Sequence, residues 1–262
     1  MKNRRVKVLT LGLAALILAS SRCAADNAEA RQHARRPSAA ERALQRIVEA
    51  RTSPVPSAAA TADADLKRVE VLLSAKGVGD DVKARSLAAA VSYGDVELAR
   101  ILIAGGADVN HRGDGGRTVL MLAAAGGFHV PCGNDPLVTS YPGNAELVGG
   151  LLEAGARTED RDEEGNTALM LAARGGRSRS AELLLGAGAG VHTQNRYGWT
   201  ALHYAAAASV AYEQANLAKI INALVAAGAD VNARDAEGKT PLSYIPRSTA
   251  LVNLLAAAGA VR

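Results

Sequence analysis

The chain has 262 residues, 48% of them hydrophobic but only 3% aromatic, with one tryptophan, one phenylalanine and two cysteines. A core filled by Ala, Leu and Val suits helices packed at close range, and the length admits one or two domains. The formal charge of +4 invites a nucleic-acid partner. However, Lys2, Arg4, Arg5, Lys7 and Arg22 all lie in residues 1–25, and the remainder carries 25 basic residues against 26 acidic. That near-neutral balance excludes a broad basic surface for nucleic acid or for an anionic membrane.

Residues 1–25 have a basic head, an apolar run from Val8 to Ala19 and small residues ending at Cys23-Ala24-Ala25. This is the pattern of a secretory signal peptide, with cleavage expected after Ala25 and after Ser21 as the alternative. The apolar run is shorter than the roughly 20 residues that span a bilayer, so no stable membrane insertion is expected once it is removed. An uncleaved anchor, a lipid-modified Cys23 and an organelle transit peptide are the lesser readings. Arg22 stands against the lipid, and the compact apolar run against the transit peptide. The chain is therefore expected to be exported. A short Lys/Arg-led head and the lack of any N-x-[ST] sequon favour the periplasm over the extracellular medium. Cleavage leaves Cys132 as the one cysteine, so no intramolecular disulfide can form. It is then either a plain loop residue or a thiol that pairs with another chain.

Residues 26–62 are rich in Ala, Arg and Ser, with Pro37, Pro54 and Pro56, and read as a low-complexity linker without fixed structure. One short helix fits at Ala40–Ala50, where Leu44, Ile47 and Val48 share a face. A domain is expected over 63–262, opened by a capping helix at 65–76 and closed by a cap at 239–262, with units near 84–116, 117–165, 166–198 and 199–238. Its centre is the stretch Gly165–Ala206, in which Gly165-Asn166-Thr167-Ala168-Leu169 recurs 33 residues later as Gly198-Trp199-Thr200-Ala201-Leu202. A period of that size marks a solenoid of helix pairs that bury their apolar faces only by stacking.

Within each unit a threonine precedes the first helix, where its hydroxyl can accept from the free N–H groups of the first turn. Thr118 precedes Thr167 by 49 residues, an excess of 16 that falls between Gly127 and Gly143; Thr240 follows Thr200 by 40, an excess of seven around Ser209–Ala215. Both insertions fall between paired helices, and both should project from the edge opposite the loops that join one unit to the next. Pro246 should truncate the first helix of the last unit.

These residues resemble the ankyrin repeat. The matching stretches are Gly198-Trp199-Thr200-Ala201-Leu202-His203-Tyr204-Ala205-Ala206, Gly228-Ala229-Asp230-Val231-Asn232 with Gly238-Lys239-Thr240-Pro241-Leu242, and Gly106-Ala107-Asp108-Val109-Asn110. The resemblance covers about Ala84–Arg262. It implies an all-α ankyrin-repeat solenoid of stacked helix-turn-helix units with finger loops, about five units including degenerate caps. It also implies a protein partner held at finger tips and the concave face of the inner helices.

The finger positions that the repeat leaves free are Arg112, Asp114 and Arg117, then Arg161, Glu163, Glu164 and Asn166, then Gln194, Arg196, Tyr197 and Trp199, and last Arg234, Glu237 and Lys239. Trp199, Tyr197 and Arg196 stand out, because Trp, Tyr and Arg dominate interface hot spots. The competing reading has Trp199 packing on its neighbouring finger and stiffening the stack. Arg174 and Tyr93, at the ends of inner helices, could extend the patch. His203 is expected to be structural. His129, Cys132 and Asp135 are too few for a metal site, and no catalytic or phosphate-binding motif is present. The expected protein is an exported, monomeric, non-enzymatic scaffold or adaptor without cofactor. An inhibitor or immunity-type protein and a secreted host-directed effector are the alternatives.

Overall fold

The computed structural model describes residues 37–51, 62–74, 77–126, 144–208, 214–246 and 250–261. One compact unit covers Ala39–Phe128 and Thr139–Arg262; the other, Met1–Ser38 with His129–Val138, is described only at Pro37 and Ser38. The signal segment, Cys132, His129, the 128–143 insertion and most of the surplus at 209–215 therefore lie outside the described residues.

The described residues form eleven α-helices: α1 Ala39–Arg51, α2 Ala62–Ser74, α3 Asp80–Tyr93, α4 Val96–Ala104, α5 Val119–Ala125, α6 Asn144–Glu153, α7 Ala168–Arg174, α8 Ser178–Gly186, α9 Ala201–Ala207, α10 Gln214–Ala226 and α11 Ala250–Ala257. Short 3-10 turns lie at Asp114–Gly116 and Pro241–Tyr244. Consecutive helices pair as antiparallel hairpins. The odd-numbered helices α1 to α9 and the second 3-10 turn form an inner row, and α2, α4, α6, α8, α10 and α11 an outer one.

From α5 onward, each element of the inner row starts at a threonine in one equivalent place. Thr118, Thr167, Thr200 and Thr240 share an extended backbone, φ between −96° and −89° and ψ between 161° and 172°. The first three accept the N–H three residues on, at 3.4, 3.5 and 3.4 Å. Thr240 turns its hydroxyl instead to the Val261 carbonyl at 2.7 Å. Its helix is reduced to the 3-10 turn, and Ile245 takes the extended backbone that a following Pro246 imposes.

Between the rows lie fully covered leucines such as Leu87, Leu120, Leu169 and Leu202, interleaved with Ala90, Ala123, Ala172 and Ala205. The alanines let adjacent inner helices approach closely, which is why so few aromatic rings are needed to fill the core.

The packed unit starts earlier than residue 63. Helix α1, inside the stretch expected to be linker, buries Leu44, Ile47 and Val48 against the stack. Two polar latches fix it. Arg51 clasps Asp95 through Nε at 2.7 Å and Nη2 at 3.1 Å, and the Glu41 carboxylate accepts the Gly79 N–H at 3.0 Å.

Candidate functional site

Each of the last three fingers is organised by one short polar side chain. Asp162, Asn195 and Asp235 occupy equivalent buried positions, and the Oδ1 of each accepts two backbone N–H groups just ahead of it. These come from Glu164 and Asn166 at 3.0 and 2.7 Å, from Tyr197 and Trp199 at 2.9 Å each, and from Glu237 and Lys239 at 2.9 Å each. The first finger has Gly113 at that position.

Neighbouring fingers are zipped by backbone bonds: Glu163 N–H to Gly115 C=O, Arg196 N–H to Glu164 C=O, and Ala236 N–H to Tyr197 C=O, at 2.9, 3.0 and 3.0 Å. A side-chain ladder runs beside them. Arg112 donates to the Arg161 carbonyl at 2.6 Å, Arg161 to that of Gln194 at 3.2 Å, and Gln194 to that of Arg234 at 3.0 Å. Arg234 folds back onto Gly238 at 2.8 Å. These four residues, expected as partner contacts, thus have their polar ends committed to the fingers.

Asn166 departs from expectation too. It is fully buried, not a free finger position. Its Nδ2 donates to Asp162 Oδ2 and Glu164 Oε2, both at 3.1 Å, and its Oδ1 accepts from Asn195 Nδ2 at 2.8 Å and the Tyr204 hydroxyl at 2.9 Å. Asn195 also donates to the Tyr204 oxygen at 3.0 Å.

Over this network lies Trp199, half-buried at the base of the third finger. Its ring meets Tyr204 edge-on with centroids 5.0 Å apart, and the tilted Tyr244 ring at 4.8 Å. His203 stacks behind it at 6.1 Å. The packing alternative for Trp199 therefore has a physical basis, while part of the ring still faces solvent. Sequence reasoning missed Tyr204 and Tyr244; the signal lay in their equivalence to Leu171 and Leu122, one position past the His203 place in successive inner helices.

The electrostatics follow from this packing. Burial raises the Tyr204 hydroxyl above its ordinary value; the Arg174 charge opposes the rise, and the Glu164 and Asp162 carboxylates add to it. Burial, then the hydrogen bond and charge of Asp235, push Tyr244 up to about 12. Burial alone would raise Asp235, but hydrogen bonds from Tyr244 and from the Lys239 and Glu237 N–H groups outweigh it and leave its carboxyl below the usual value. Lys239 bonds Glu237 at 2.6 Å and lies 5.7 Å from the Tyr244 ring centre.

Of the expected contact residues, Tyr197, Arg196, Glu163, Glu164 and Arg174 are exposed around this cluster, and Lys239 borders it. Tyr197 is the most exposed large hydrophobic side chain of any finger, at 56%. Arg117 belongs to the first finger and Tyr93 to the end of α3, away from the Trp199 cluster. Among the described residues no group of three or more His, Cys, Asp or Glu could hold a metal ion, and no helix is long and apolar enough to cross a membrane.

Helix hairpins in register, joined by zipped fingers, define an all-α repeat scaffold. The family described as ankyrin repeats (3 copies) matches residues 137–235, and that described as ankyrin repeats (many copies) matches residues 87–132. The chain belongs to the ankyrin-repeat family, whose repeats generally mediate protein–protein interaction and are typically not enzymes. No curated protein matches the chain.

Proposed function

We propose that the chain is an exported, non-enzymatic adaptor that acts as a monomer and holds a partner protein against its third finger, with the periplasm favoured over the extracellular medium. The observation that carries this reading is the pairing of Tyr197, 56% exposed at the finger tip, with the half-buried Trp199 at the finger base. An exposed aromatic beside a fixed one buries much area with few rotors to immobilise. The exposed Arg196, Arg174, Glu163 and Glu164 supply charges of both signs for a polar rim.

Tyr197→Ala is the clean perturbation, because its ring is exposed whereas that of Trp199 is packed. Cell fractionation locates the protein, and affinity capture with native and variant chains then identifies what Tyr197 retains. A partner lost on substitution, by about 2 kcal/mol or more, with an unchanged melting temperature supports the reading. Equal retention by both chains overturns it. Recovery from culture medium instead of a periplasmic extract favours a secreted effector.

A further inference from the structure

Asn110, Glu159, His192 and Asn232 occupy one equivalent place, just before each finger. Three of them clamp the hairpin that follows. Asn110 accepts the Arg157 N–H at 2.9 Å and donates to the Gly155 carbonyl at 3.3 Å. Asn232 accepts the Val261 N–H at 2.7 Å and donates to the Gly259 carbonyl at 3.0 Å. Glu159 accepts the Gly190 N–H at 2.7 Å and the Thr193 hydroxyl at 3.3 Å.

His192 is the exception. Its exposed imidazole makes no hydrogen bond or ion pair among the described residues. The matching groups of the next hairpin, the Asp230 N–H and the Gly228 C=O, are left without their clamp. A groove of about 260 Å³ opens beside these groups; its lining holds His192, Gln194, Thr200, Asp230 and Arg234, with Val191 and Ala233, and Gly228 lies outside it.

We propose that this joint, at the Asp230 N–H and the Gly228 C=O with the groove beside them, is a recognition site for a primary carboxamide. A carboxamide carries an acceptor oxygen and a donor NH2 on one planar group, so it can serve an N–H and a C=O on one turn together, whereas the Glu159 carboxylate serves the N–H alone. The protein itself fills the same geometry with a carboxamide at two of the four joints. A carboxylate can accept from the Asp230 N–H but cannot donate to Gly228, and it meets the Asp230 carboxylate. The groove holds several times the roughly 30 Å³ of a water molecule, so a group the size of acetamide fits. This site is independent of the Tyr197 face and can fail or succeed without it.

The test is a titration of the isotope-labelled full chain with acetamide, followed by nuclear magnetic resonance at the Asp230 amide. The amides of Arg157, Gly190 and Val261, whose clamps are closed, serve as references. The expected result is a saturable shift at Asp230 that the three references do not share and that N,N-dimethylacetamide and acetate do not reproduce. His192→Asn supplies the missing clamp, so it should abolish the response, and its two added hydrogen bonds should raise the melting temperature by about 4–8 °C. His192→Ala should keep the response. Equal shifts at all four amides, an equal response to dimethylacetamide, or a response that survives His192→Asn would overturn the proposal. The peptide acetyl-Gly-Asn-Gly methyl ester separates the sources. A response to it as well as to acetamide assigns a side chain of a protein, and a response to acetamide alone assigns a free small amide.

Discussion

Asn166 is the hub of the polar network under Trp199, and Asn166→Ala is the perturbation that tests it. The substitution removes four hydrogen bonds from a residue with 0% exposure. They are not equal in consequence. Glu164 is exposed and turns to water, so its loss contributes almost nothing. Asn195 keeps its bond to the Tyr204 oxygen. Asp162 keeps the two backbone bonds at Oδ1 but loses the Asn166 donor at Oδ2. The Tyr204 hydroxyl loses its acceptor. Two partners are thus left short at a buried site, at about 1–2 kcal/mol each, which predicts a destabilisation of about 2–4 kcal/mol. Urea denaturation followed by fluorescence measures it directly, because Trp199 is the one tryptophan and lies on the network. Tyr204→Phe leaves the Asn195–Asn166 bond standing and should cost only about 1 kcal/mol. The double variant should cost less than the sum by at least about 0.5 kcal/mol, since the two residues share a bond. A cost for Asn166→Ala within about 0.5 kcal/mol of native, or strict additivity, would refute the reasoning.

Three further outcomes are expected. His203 accepts the Thr200 N–H at Nδ1, at 3.2 Å, and burial, partly opposed by the Lys239 carbonyl and the Asp235 charge, lowers its pKa. The unfolded chain then binds the proton first, so stability should fall as pH drops through the ordinary histidine value of 6.5, and His203→Gln should flatten that slope in melting experiments. Arg51→Ala opens the bidentate contact to Asp95, whose side chain is only 15% exposed and which also caps α4; hydrogen exchange should quicken about tenfold or more across α1, with no change in α7 to α10. Gly198 and Gly238 both have positive φ, +74° and +75°, but a methyl group at Gly198 would lie 2.7 Å from the Ala236 nitrogen of the next finger, whereas one at Gly238 meets nothing within 4 Å. Gly238→Ala should therefore cost about 1 kcal/mol of backbone strain and Gly198→Ala clearly more, and equal melting temperatures for the two would contradict the finger stacking.

The repeat was legible because its signals are local. The threonine before each inner element from α5 onward, the helix-spaced apolar positions and the glycine breaks all act within one turn of chain, and all four threonines take equivalent backbone geometry. Leu44, Ile47 and Val48 were legible as one face of a helix for the same reason. What that face packs against was not, so α1 read as part of a linker. The ladder of Arg112, Arg161 and Gln194 was hidden for a related reason. A long polar side chain in a finger looks the same in sequence whether it reaches solvent or the carbonyl of the next finger. Asn166 occupies the same place as Arg117, Trp199 and Lys239, and only the presence of Tyr204 and Asn195 on the next unit turns it inward.

The hairpins α7–α8 and α9–α10 therefore meet at a joint that is closed on one side and open on the other. At the inner helices it carries the Asn166–Asn195–Tyr204 network under Trp199. At the His192 place it lacks the clamp that Asn110, Glu159 and Asn232 supply at the three equivalent joints. If the open side were only a tolerated loss, His192→Asn should stabilise the chain and change nothing else. If it is a site, the same substitution should stabilise the chain and remove carboxamide recognition while leaving retention at Tyr197 intact. The two accounts agree on stability and part on binding, so the melting temperature alone cannot choose between them. The Asp230 amide can, because among the described residues it is the backbone donor of these four joints that has no partner.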